Sequence, residues 1–264
     1  LSQLYSENVQ TRNLALNFLK ASLIQFVKEE TGFGFNYIMH RLSEKIKDRD
    51  LPASIFKGCG ELLKIILAEK IKREELKEVL PILVEFNNRL SIGILYPAGV
   101  NEVASAFIQD ATDEPTLLSL TSHLKEGVPM VTIKLVEEIL ESMDKNKVAE
   151  RLLDTCSSSD RATRMSSLRV LNRLGSHSVS AISSLLSAEM NLAREKESGR
   201  LIDDAWYKIR NAIYILGNAP DEESIRVLSL LKNDPDVRVR MDVVKALEKI
   251  GIAESANILL AFLD

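Results

Sequence analysis

Three pairs of like charges stand four residues apart: Glu137 and Glu141, Arg169 and Arg173, Lys245 and Lys249. Residues four apart share one face of a helix, so each pair would present a patch of a single sign. Such patches can grip a partner of opposite charge. They can also pair across helices stacked about 8–10 Å apart, Glu137 with Arg169 and Glu141 with Arg173, at about 0.2–1 kcal/mol per exposed pair. Spacing alone favours the second use.

The remaining reactive residues assemble into nothing. Ser54 and Lys57 have the Ser-x-x-Lys spacing of acyl-transfer enzymes, but no supporting motif follows. GFG at Gly32 and GCG at Gly58 lack the third glycine and the preceding strand of a phosphate-cradling loop. His40, His123 and His177 are isolated, and there is no Cys-x-x-Cys or His-Glu-x-x-His to hold zinc. Trp206, the sole tryptophan, follows Asp203 and Asp204. No catalytic residue, metal or cofactor is expected, and the chain is read as a non-enzyme.

The elements that carry these residues repeat. DVRVRMDVVKALEKIG, from Asp236, shares residue types at matching offsets with DRATRMSSLRVLNRLG, from Asp160, down to the Arg-Met pairs Arg240-Met241 and Arg164-Met165. Counting Val239 as zero, Val239, Val243, Leu247 and Ile250 fall at 0, 4, 8 and 11, within an arc of about 80° at ~100° per residue, and form one stripe. Thr163, Ser167, Leu171 and Leu174 hold the same places. Gly175 and Gly251 follow each stripe where a helix C-terminus favours positive φ. The template also fits Thr11, Ala15, Leu19 and Ser22, and Val131, Leu135, Ile139 and Ser142, and less closely Ile209 and Ile213. Second helices start near Ser224 and Ser255, 31 residues apart, against 30 from Ile209 to Val239. Two-helix units at this period stack as a solenoid. An insertion, AREKESGRLIDD from Ala193, separates two units and is expected on the surface.

DPDVRVRMDVVKALEKIG with ESANILLAFLD resembles the bacterial type of HEAT repeat, clearest over residues 128–264. The resemblance implies an all-α solenoid of antiparallel helix pairs, a concave surface lined by the Val-Arg helices, and a scaffold that binds a protein or peptide. It also implies that Arg12, Arg164, Arg210 and Arg240 each bond an acidic group of a neighbouring turn. From the residues, Asp160, Asp204, Asp234 and Asp236 are candidate N-caps. An alternative is a lyase-type chaperone resembling the phycobilin lyases. HEAT-like deoxyhypusine hydroxylases bind iron through His-Glu pairs, and this chain has none. The aromatic beside carboxylates at Trp206 is similar to a pair in the alkylpurine DNA glycosylases. Their surfaces are basic, whereas residues 160–264 hold 15 Lys and Arg against 15 Asp and Glu. Nucleic acid is therefore disfavoured, and Trp206 is expected in core packing.

Ahead of residue 110 the pattern is less regular and richer in aromatics, with breaks at TGFGF, DLPAS and YPAG. Helices are predicted at about 2–30, 33–48, 53–70, 72–89, 98–110 and 114–125. Residues 1–127 are read as divergent repeats or a helical cap, 128–264 as HEAT-like repeats, in one continuous solenoid. No apolar run approaches the ~20 residues of a membrane span, and the start has no secretory pattern. Cys59 and Cys156 are too few for a disulfide scaffold, so the cytoplasm is expected. Leu1 in place of Met points to a piece of a longer protein. The closing SANILLAFLD is apolar on nearly every side, so a further domain or a second copy is expected to cover it.

Overall fold

A computed structural model describes residues 2–6, 8–28, 32–90, 94–189, 201 and 203–260. Among them the chain is a succession of α-helices and short 3-10 turns with no strand, as the periodicity requires. The insertion from Ala193 falls outside the described residues up to 200. Contacts divide the chain into two compact units, residues 1–120 with 134–144 and residues 121–133 with 145–264.

The first unit is built around α3 (Ala53–Lys72), which packs on α1 (Val9–Lys28), α2 (Gly32–Ile46), α4 (Val79–Asn88) and α5 (Val100–Ala111). Small residues at the middle of α3 let these neighbours close in. A Cβ on Gly60 would touch the rings of Phe86 at 3.4 Å and Phe107 at 3.5 Å. Phe86 in turn stacks on Phe107, with centroids 3.6 Å apart, and tilts against Phe56 at 4.9 Å. Two cations are buried in this unit, Arg89 against the Phe56 ring and Lys70 against that of Phe35. Arg89 donates to the carbonyls of Ile46 and Asp48, pairs with Glu85 at 3.1 Å and lies 4.6 Å from the Tyr96 ring. Lys70 meets Glu75, Glu78 and Asn36. Burial opposes the charge on Lys70, but the two carboxylates outweigh it and hold its pKa above the ordinary value.

Helix boundaries depart from the sequence reading where turns intervene. The helix expected from residue 2 opens as a 3-10 turn, Ser2–Tyr5, before α1. The one expected from residue 72 starts as α4 only at Val79, because Glu74 takes a left-handed φ of 61° and a 3-10 turn, Leu76–Glu78, follows.

α6 (Glu114–Thr121) and α7 (Met130–Glu141) come next. The second unit then continues with α8 (Lys145–Thr155), α9 (Arg161–Leu174), α10 (Val179–Glu189), α11 (Asp203–Leu216), α12 (Glu222–Leu230), α13 (Val237–Ile250) and α14 (Ala253–Leu260). α9, α11 and α13 lie side by side in one layer; α8, α10, α12 and α14 follow one another in the other. This is the arrangement of an α-solenoid. Val239, Val243, Leu247 and Ile250 are all buried, as are Ser167, Leu171 and Leu174 of α9, and Gly175 and Gly251 take the expected positive φ of 56° and 66°.

α7 differs. Val131 is 69% exposed, and of the template positions only Ile139 is buried; Val136, Leu140 and Met143, each one residue later than the template, are buried as well. VTIKLVEEIL is apolar enough to supply both stripes, so periodicity could not choose between them.

Three helices begin with the same turn. Ser6, Ser158 and Asp234 use their side chains to accept the N–H two residues on, from Asn8 (3.2 Å), Asp160 (3.2 Å) and Asp236 (2.9 Å). Asn8, Asp160 and Asp236 then cap α1, α9 and α13 by accepting from Thr11 (3.1 Å), Thr163 (2.7 Å) and Arg238 (2.8 Å). Arg12, Arg164 and Arg240 close the turn by donating to the carbonyls of Ser6 (3.3 Å), Ser158 (2.5 Å) and Asp234 (2.6 Å), each six residues back. The partner is thus a backbone oxygen of the helix's own turn, not an acidic group of a neighbouring one. Such turns expose carbonyls with no intrahelical donor, and a guanidinium satisfies them. Asp234 is part of this turn and not a cap, while Asp160 and Asp236 cap as expected.

Candidate functional site: the exposed face of α9, α11 and α13

Charge is sorted between the two layers of the second unit. α9 carries four arginines and no carboxylate, and α13 carries four cations against two acids. α11 between them is balanced, two of each sign. In the other layer α8 holds three cations against two acids, and α10, α12 and α14 together hold Arg226 against Glu189, Glu222, Glu223 and Glu254. The formally neutral half therefore hides a cationic layer, which a net charge cannot reveal.

Along the outside of that layer the cations alternate with large apolar side chains. Arg169, Arg173, Arg210, Lys245 and Lys249 are exposed, and Met165, Tyr207, Tyr214 and Met241 are between 44% and 55% exposed. The three helices are joined beneath them. Asn218 donates to Asn172 at 2.9 Å between the end of α11 and α9. Gly217 lies so close to α13 that a Cβ there would sit 3.0 Å from the backbone of Ala246.

Between α11 and α13 this close approach leaves a groove of about 260 Å³, floored by Ile213, Gly217 and Ala246 and rimmed by Arg210, Lys245 and Lys249. Lys249 Nζ stands 4.9 Å from the centre of the Tyr214 ring, which forms one wall. Asp242 is the groove's carboxylate. Its Oδ1 is 3.7 Å from Lys245 Nζ, while its Oδ2 is buried without a hydrogen-bond partner.

Trp206 sits behind the rim, its ring 5.5 Å from the Arg210 guanidinium and 4.7 Å from that of Arg238. Arg238 is itself held by Asp236 at 2.9 Å and by the carbonyl of Leu201 at 2.5 Å. Burial alone would raise the Asp236 pKa, but Arg238 and the N–H groups of Leu201 and Arg238 outweigh it and bring it to about 2. The side chains of Asp203 and Asp204, the other half of the aromatic–carboxylate pair, lie outside the described residues.

Of the six residues singled out by spacing, Arg169, Arg173, Lys245 and Lys249 share this face. Glu137 and Glu141 lie on α7 in the first unit, where the shifted stripe takes them off the positions the four cations hold, and Glu137 is buried. Sequence reasoning missed Tyr207, Tyr214 and the two methionines. Met165 and Met241 were visible as a recurring Arg-Met pair, but the tyrosines have no counterpart in the template.

The reactive residues stay apart. Ser54 and Lys57 are both exposed on α3, outside the apolar enclosure a lysine base needs. Cys59 and Cys156 are free, and burial pushes both thiols up to about 12, which suppresses the thiolate. Among the described residues no three His, Cys, Asp or Glu side chains gather as metal ligands, and no helix is long and apolar enough to cross a membrane. In the first unit a wider groove of about 660 Å³ lies between α1, α3 and α5. Its cations face its acids, Lys20 with Glu61 and Lys64 with Asp110.

Residues 200–264 match the family model of HEAT repeats. The family assignment therefore holds over that segment, which contains α11 to α14. No curated protein matches the chain.

Proposed function

We propose that the protein is a non-enzymatic scaffold whose exposed face on α9, α11 and α13 binds a protein partner. The observation that carries this reading is the coincidence of sorted charge with exposed tyrosine and methionine on one continuous helix layer. Tyrosine and arginine are the residues that interfaces concentrate, and methionine adapts to irregular partners. Families built from HEAT repeats commonly serve this role, which supports the reading for the matched segment. The proposal includes a cytoplasmic location, supported by the two free cysteines. It also includes a cover for α14, where Leu260 is 61% exposed; Phe262 and Leu263 lie outside the described residues.

A photo-crosslinking amino acid placed at Tyr214 or Met241, and as a control at Arg226 on α12, tests the reading in cells. Protein adducts are expected from the first two positions and not from the third. Equal capture from both layers, or none from α11 and α13, would overturn it.

A further inference from the structure

The groove between α11 and α13 allows the partner's chemistry to be specified, a step that rests on the binding reading above. We propose that this groove receives an extended acidic peptide segment, one of whose aromatic or aliphatic side chains seats on the floor between Tyr214 and Ala246.

Three features converge on that occupant. At about 260 Å³ the groove falls below the roughly 300–1,000 Å³ of small-molecule sites, so it suits a side chain and not a cofactor. Its rim carries Arg210, Lys245 and Lys249, and the cationic face continues onto α9 through the Asn172–Asn218 bond, so a partner lying along it is selected for negative charge. Asp242, whose Oδ2 is buried and whose Oδ1 lies 3.7 Å from Lys245 Nζ, is the one carboxylate against three cations among the described lining residues, so the groove stays net positive.

The apolar floor separates a peptide from a nucleic acid. Phosphates are attracted to the same cations, but a phosphodiester backbone has no apolar side chain to seat on Ile213, Gly217 and Ala246. An extended peptide turns alternate side chains to one face, so one can seat on the floor while its acidic neighbours reach Lys245 and Lys249 on either side.

The probe is a fluorescein-labelled random copolymer of glutamate and tyrosine, titrated into the full chain. Polyglutamate and a 20-base-pair DNA duplex serve as comparisons. Anisotropy reads binding. Emission from Trp206 reads the site, because Arg210 is both on the rim and against that ring. The copolymer is expected to bind at least tenfold more tightly than polyglutamate, to weaken as salt rises, and to change Trp206 emission.

The double variant Lys245→Glu, Lys249→Glu should lose at least tenfold in affinity with its circular dichroism unchanged. Tyr214→Ala should erase the preference for copolymer over polyglutamate. Arg226→Glu, on the opposite layer, should bind as the parent does. The proposal is overturned if the copolymer fails to bind at 50 mM salt, if the duplex binds more tightly, or if Arg226→Glu weakens binding as much as the lysine reversals do. Crosslinking at Tyr214 distinguishes the two readings. A protein adduct there with no copolymer binding leaves the scaffold standing and removes only the acidic peptide.

Discussion

The two units keep the same kind of helix start but fill their interiors differently. In the first, an aromatic stack of Phe56, Phe86 and Phe107 and two buried cations hold α3 among four neighbours. In the second, aliphatic stripes such as Val239, Val243 and Leu247 repeat from helix to helix, and the cations are displaced to the outside of one layer. The difference teaches that a repeat's turn can outlast its core. Arg12 bonds the carbonyl of Ser6 as Arg240 bonds that of Asp234, although of the template positions on α1 only Leu19 is buried, against all four on α13. An interior held by interlocking aromatics is specific to its own residues. One held by stripes can be copied, and it leaves the outer face free to vary.

The largest expected effect comes from the aromatic interior. Phe86→Ala should cost about 3–5 kcal/mol, as large-to-small changes at buried aromatics do. Amide exchange should place the loss in the first unit and leave α11–α13 protected; equal loss in both units would contradict the contrast. Next are the shared turns. Arg12→Met, Arg164→Met and Arg240→Met should each cost about 1.5–3 kcal/mol, since a charged donor leaves a carbonyl, and urea midpoints measured side by side should fall together. A negligible effect at Arg12 alone would separate the first unit's turn from the other two.

Gly217→Ala tests the close approach in the second unit. Its Cβ would meet backbone at 3.0 Å, so a loss of about 1–3 kcal/mol is expected, accompanied by a change in Trp206 emission. Asp236→Ala removes a cap worth about 0.5–2 kcal/mol, and its effect should depend on pH. The folded pKa is depressed to about 2, so the contribution is present above the ordinary carboxylate value near 4. It fades as pH falls through 2. Thermal melts of parent and variant should therefore converge in acid. The smallest effect belongs to the exposed pairs of the first unit's groove. Lys64→Met should change stability by about 0.2–1 kcal/mol, a shift that 0.5 M salt should abolish in differential scanning fluorimetry.

Much of the fold was legible because helix periodicity is local. The stripes at Val239 and Leu171, the glycines that end α9 and α13, and the caps at Asp160 and Asp236 all follow from residues within one or two turns. Where the local pattern was ambiguous it misled, as in α7, where two stripes fit equally and burial selected the later one. The site was half legible. Paired cations four residues apart could be placed on helix faces, but their company could not, because Tyr214 reaches the groove from a different helix and obeys no template. Trp206, expected in the core, is half-buried between Arg210 and Arg238, partners that could not be identified without the structure.

By itself the sequence determined the helical repeat of the second unit, the ends of α9 and α13 and the two-helix period, because these depend on spacing along a single chain segment and on capping groups a few residues away. Tertiary structure alone decided that the cations of α9, α11 and α13 share one side of a neutral half, that Gly217 opens a groove, and that Asp242 lines it. Those facts depend on which helices become neighbours, and charges distant in sequence acquire a common field only when packing brings them to the same surface.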